Sequence, residues 1–158
     1  MAVRQLLAGA RVSDIHIDDF FRDAAIALNR LYLSFPRPLA LYVEDIIGPD
    51  QPDEFGLHST RHAACFATLL WLAEEGHFRF ADTIRQEAID QAVLTARTFT
   101  LLSTADPRHE VPDIDVLPSA LRFEYASNVQ RIREALRSQS SSQMREIMTN
   151  LLRRATNL

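Results

Sequence analysis

Apolar residues recur at intervals of three and four from Phe21 through Ala24, Ala25, Leu28, Leu31 and Tyr32 to Phe35. That spacing gathers them on one face of a helix, and Asp18 or Asp19 is placed to cap its start. The helix must stop before Pro36-Arg37-Pro38, because a proline ring crowds the residue before it out of the helical conformation. Leu39 to Tyr42 suits a short strand, and Val43 to Ile47 about one helical turn, ended by Gly48 and Pro49. A polar loop, Asp50 to His58, leads to Ser59, a good N-cap. The helix after it runs to Glu75, with Gly76 just past its end. Its stripe of Phe66, Leu69, Leu70 and Ala73 is widened by Trp71 and Leu72, which predicts a mostly buried helix.

From His77 the period changes. His77-Phe78-Arg79-Phe80 alternates as a half-buried strand does. Ala81 to Gln91 is ambiguous, because no Gly, Pro or Asn occurs between Gly76 and Asp106 to mark a tight turn. The preferred reading is a wing interrupted by a helical turn, capped by Asp82 and carrying Ile84, Ala88 and Ile89. A plain hairpin and one helix from Asp82 to Ser103 are the alternatives. Ala92 to Leu94 then reads as a short strand, and Thr95 as the cap of a helix with Ala96, Phe99 and Leu102 on its apolar side.

Asp106 to Pro118, with three prolines, is expected to be a linker or an extended surface segment. Ser119 caps an expected helix presenting Leu121, Tyr125, Val129, Ile132 and Leu136 on one face. The Ser138-to-Ser142 run breaks it, and a last helix carries Met144, Ile147, Met148, Leu151, Leu152 and Ala155. The chain thus divides into an arm (1–13), a main domain (14–106), a linker (107–118) and a C-terminal helical hairpin (119–158). The two apolar faces of the hairpin either pack on the main domain or make a two-fold dimer interface.

The order helix, short strand, short helix, long helix, strand, wing, strand, helix resembles the winged helix-turn-helix superfamily. The resemblance covers about Asp18 to Ser103 and is carried best by the strand-to-helix junction Ala92 to Leu102. Relatives often have a glycine early in the closing helix, where this chain has Thr98. The fold it implies is mainly α, a winged helix-turn-helix core with a small β-wing, followed by the helical hairpin. In DNA-binding members the helix after the loop enters the major groove. The resemblance therefore offers Ser59, Thr60, Arg61, His62 and Thr68 as base or partner contacts, and Arg79 and Arg85 in the wing as contacts to phosphate or the minor groove.

Charge redirects that implication. Between Asp14 and Asp106, fifteen acidic residues face seven arginines, a net −8, whereas the whole 158-residue chain carries −4. Neutralising phosphate supplies most non-specific affinity for DNA, so so acidic a segment starts at a disadvantage. A non-enzymatic protein-protein interaction or regulatory module is the first expectation. A dimeric, sequence-specific DNA-binding regulator is the second. All positive charges are Arg, which forks onto carboxylate and phosphate better than Lys, but they form no motif.

Other chemistry is sparse. His58 and His62 stand four apart across a helix start, a spacing that can bring two imidazoles to one metal. Ser59 stands where a His-Glu-x-x-His peptidase needs Glu, and the pair is read as two polar residues at a solvated helix end. No metal and no cofactor is assigned. The four glycines form no phosphate-binding loop, no serine sits in a nucleophile elbow, and an enzyme is not expected. The single Cys65 reads as a small buried hydrophobe. With no long apolar run and no signal-like start in Met1 to Ala10, a cytoplasmic protein without membrane contact is expected.

Overall fold

In a computed structural model residues 15–157 are described. The arm assigned to 1–13 lies outside them. Among the described residues the chain is mainly helical, with seven α-helices and a small antiparallel sheet of four strands. No helix among them is long and apolar enough to cross a membrane.

Helix α1 (Ile15–Ser34) is the axis of the molecule. Ile15 is already helical, so Asp18 lies inside the first turn and neither it nor Asp19 is the cap. Ala24, Ala25, Ala27, Leu28 and Leu31 are all buried, more of the circumference than a one-faced surface helix covers. The small alanines let neighbours approach on two sides. Helix α3 (Thr60–Glu74) packs on one side, and α6 (Asn128–Ser138) and α7 (Ser141–Thr156) pack on another.

Strand β1 (Leu39–Tyr42) and the single-turn helix α2 (Glu44–Ile47) follow α1 as expected. Strand β4 (Ala88–Leu94) is central. It pairs β1 along one edge, and β2 (Phe78–Arg79) and β3 (Asp82–Ile84) in succession along the other. Leu39 faces Ala92 and Leu41 faces Ile89, so two steps of β1 span three of β4. The extra residue is a bulge in which Gln91 takes a positive φ of 53°. A bulge resets the alternation of the strand. Ile89, Ala92 and Leu94 can then all join the core despite their uneven spacing.

The stretch from Ala81 to Gln91 contains no helical turn, and Asp82 caps nothing. It is a hairpin, closed by Ile84-Arg85-Gln86-Glu87, in which Glu87 N–H donates to the Ile84 carbonyl at 2.8 Å. Arg85 and Gln86 both have positive φ, as a type I′ turn demands. Pairing with β4 imposes this turn without the residues that favour it.

Thr95 caps α4 (Ala96–Ser103), its side chain accepting from the Thr98 amide. The buried face of α4 is Thr98, Leu101 and Leu102, while Ala96 points outward. Beyond it, a turn of 3₁₀ helix (Ile114–Val116) interrupts the proline-rich segment.

The helix expected from Ser119 is two helices, α5 (Ser119–Ala126) and α6. Ser127 is extended and accepts from the Gln130 amide, so it starts a new helix, and Pro118 rather than Ser119 stands at the N-cap of α5. The break divides the presumed apolar face. Leu121 and Tyr125 on α5 are exposed, whereas Val129 and Ile132 on α6 are buried. Met144, Ile147, Met148 and Leu151 of α7 are buried as well, and Leu136 and Leu152 pack partly against the same cluster. These eight residues are therefore committed to the chain's own core, and the continuous dimer face drawn from the sequence does not exist. Helices α6 and α7 do form a hairpin, but one buried cluster joins them to α1, α3, α4 and the sheet.

Candidate functional site

Helix α3 carries most of the residues that the winged-helix resemblance offers as contacts. Its start is well built. Ser59 is extended, and its hydroxyl accepts from the His62 amide at 3.1 Å. Thr60 is exposed at the first helical position. Arg61 is not free: its guanidinium makes a two-pronged contact with Asp23 of α1, with bonds of 2.6 and 2.5 Å. Asp23 is only 1% exposed. The pairing with Asp23 raises the Arg61 pKa further, and Asp19 stands 3.7 Å away on the same side. His62 and Thr68 are buried, and the Thr68 hydroxyl donates to the Ala64 carbonyl within the helix. Arg79 on β2 and Arg85 in the hairpin turn are exposed. Of the seven candidate contacts, the structure leaves Ser59, Thr60, Arg79 and Arg85 outward and turns Arg61, His62 and Thr68 to internal work.

Contrary to the sequence expectation, α3 is not mostly buried. Ala63, Ala64, Ala67 and Trp71 are exposed, the last by 39%. Trp71 meets Phe20 of α1 edge to face, with ring centroids 5.3 Å apart. Ile17, Phe20, Ala64, Ala67 and Trp71 line a groove between α1 and α3, with His16, Asp19 and Thr60 among its polar members. Sequence reasoning placed Trp71 in the interior, because an apolar position on a helix reads the same whether a neighbour covers it or not.

The loop before α3 folds back on the helix. Asp50 Oδ2 accepts from His58 Nδ1 at 2.9 Å and from the Ser59 amide at 3.2 Å. The Ser59 side chain first, then His58 and the Ser59 amide, hold the Asp50 pKa down at about 2. The His58 and His62 rings stack, with centroids 3.8 Å apart and planes inclined by 7°. Glu87 of the hairpin reaches within 3.9 Å of His58 Nε2. His62 is 1% exposed, and its Nε2 has no hydrogen-bond partner among the described residues. Burial, and then the neighbouring His58, push its pKa down. The two histidines are thus not a solvated helix end, because Asp50 holds His58 and His62 is buried beneath it.

A second histidine is internal too. His77, between α3 and β2, is 3% exposed, and its Nδ1 lies 3.1 Å from the Thr98 hydroxyl. Burial, with the nearby Arg97, lowers its pKa to about 4. Arg97 in turn donates to the Glu75 carbonyl at 2.6 Å, so a cation answers the exposed end of α3 where Glu74 and Glu75 lie. Cys65 is buried as expected, and burial raises its thiol to about 12, so it is no ready nucleophile.

Comparison with protein-family models, with curated proteins and with solved structures gives no significant match, so the function of this surface has to be read from its own chemistry.

Proposed function

We propose that this chain is a non-enzymatic winged-helix protein that works as a protein-protein interaction module. It receives an apolar helix with basic flanks in the groove between α1 and α3. The element order and the strand order β1-β4-β2 support the winged-helix reading. One observation carries the choice of ligand. The outward face of α3, where a DNA-reading member needs polar and basic side chains, presents Ala64, Ala67 and Trp71, while Arg61 is held by Asp23. Exposed contiguous apolar surface marks protein contact. The net −8 of the surrounding segment favours a partner with basic flanks.

The alternative, a dimeric DNA-binding regulator, rests on Arg79 and Arg85, which remain exposed. A homodimer through the C-terminal helices has only Leu121 and Tyr125 of the expected face to build on.

Trp71 is the chain's one tryptophan, so its emission reports occupancy of the groove. Titration with a basic amphipathic Leu/Lys helical peptide is expected to give a saturable blue shift, abolished by Ala67→Arg. In parallel, retention of genomic DNA fragments is measured at low and near-physiological salt. Arg61→Ala is expected to destabilise the protein by about 3 kcal/mol, because it strands a buried carboxylate. Unmoved Trp71 emission, together with DNA retention that weakens in Arg79→Ala and Arg85→Ala, would establish the DNA reading instead.

A further inference from the structure

We infer that Asp50, His58 and His62 form a binding site for a divalent transition-metal ion of the zinc class. One ligand atom from each of the three lies within 4.8 Å of the other two. Four ligands at ~2.0–2.1 Å around a tetrahedral zinc are roughly 3.3 Å apart. His58 Nδ1 and Asp50 Oδ2 are 2.9 Å apart, a hydrogen bond that an ion between them would replace. Two imidazoles and one carboxylate make a donor set suited to zinc rather than to calcium or magnesium, which take oxygen.

A second observation points to the same ligand. His62 is 1% exposed, yet its Nε2 has no partner among the described residues. A buried polar atom left unpaired is costly, and an ion is one way to satisfy it. Glu87, 3.9 Å from the other nitrogen of His58, is near enough to approach that ring or the ion as a further oxygen donor.

The stacked rings define the movement that binding requires. Imidazole lone pairs lie in the ring plane, so two parallel rings cannot aim at one ion. His58, on the loop and half-buried, swings out of the stack while His62 stays fixed in α3. The ion would then tie together the loop, the start of α3 and the β3–β4 hairpin.

The test uses the full chain, stripped with chelator and titrated with zinc, and separately with cobalt(II), whose visible bands report coordination. One equivalent is expected to bind. Removing an outer partner of a ligand typically weakens binding about 10–100-fold, so Asp50→Asn and His58→Ala should each cost at least about tenfold. Both residues lie in the loop outside the core. In the unmodified protein, histidine ring ¹⁵N shifts should move for His58 and His62 and not for His77, a readout independent of how the variants fold. Absence of stoichiometric binding overturns the site, and so do unchanged His58 and His62 ring signals at saturation.

Discussion

Burial at the junction of α3 and β2 keeps His77 neutral, and the cost of that choice depends on pH. Its folded pKa of about 4 lies below the ordinary 6.5. As pH falls through 6.5 the unfolded chain takes up the proton first, so stability is complete above that value, declines towards pH 4 and is level below it. The full gap corresponds to roughly 3 kcal/mol. Urea unfolding at pH 7 and pH 5 should show a loss of stability at the lower pH, with a smaller difference in His77→Asn. Equal slopes in the two proteins would move the effect elsewhere, to His62 first. At this scale the sequence was legible wherever the interaction is local. Ser59 and Thr95 cap the next turn of their own helices, and three residues suffice to see it. The pairing of Arg61 with Asp23 joins residues 38 positions apart, and it ties up one of the candidate DNA contacts. No local pattern signals it.

The elements were recovered to the extent that period and punctuation mark them. α1, β1, α2, α3 and α4 carry both. The β3–β4 hairpin carries neither, because its turn is Arg85-Gln86 instead of Asn-Gly. The positive φ at both positions is set by antiparallel pairing with β4, a tertiary demand that overrides local preference. The mismatch should be measurable. A left-handed conformation costs a side-chain-bearing residue roughly 1–2 kcal/mol, and Asn and Gly tolerate it better. The double variant Arg85→Asn, Gln86→Gly should therefore be more stable by about 1 kcal/mol or more, visible as a higher melting temperature. A lower one would mean that the Arg85 and Gln86 side chains contribute more than the turn strains. The split between α5 and α6 was missed for a related reason. Ser127 is compatible with a helix interior, and only its packing at Ala105 and Thr104 turns it into a cap.

At the scale of the molecule, α1 lies between α3 and the α6–α7 hairpin, so the C-terminal helices and the sheet share one core. Sequence periodicity showed that Met144, Ile147 and Met148 had a face to bury, but gave no sign of which surface covers it. Met148→Ala, at a fully buried position, is expected to cost about 2–5 kcal/mol. Trp71 emission, on the far side of α1, should report the same shifted transition as far-UV circular dichroism. A Trp71 transition that stays in place would mean that the C-terminal helices unfold by themselves. This arrangement also has a consequence for biosynthesis. Leu28 on α1 and Met148 on α7 belong to one cluster but leave the ribosome 120 residues apart, on the order of ten seconds at bacterial-like synthesis rates. Throughout that interval the second side of α1 has no cover, so the nascent chain, more than the finished protein, is the form most in need of a chaperone.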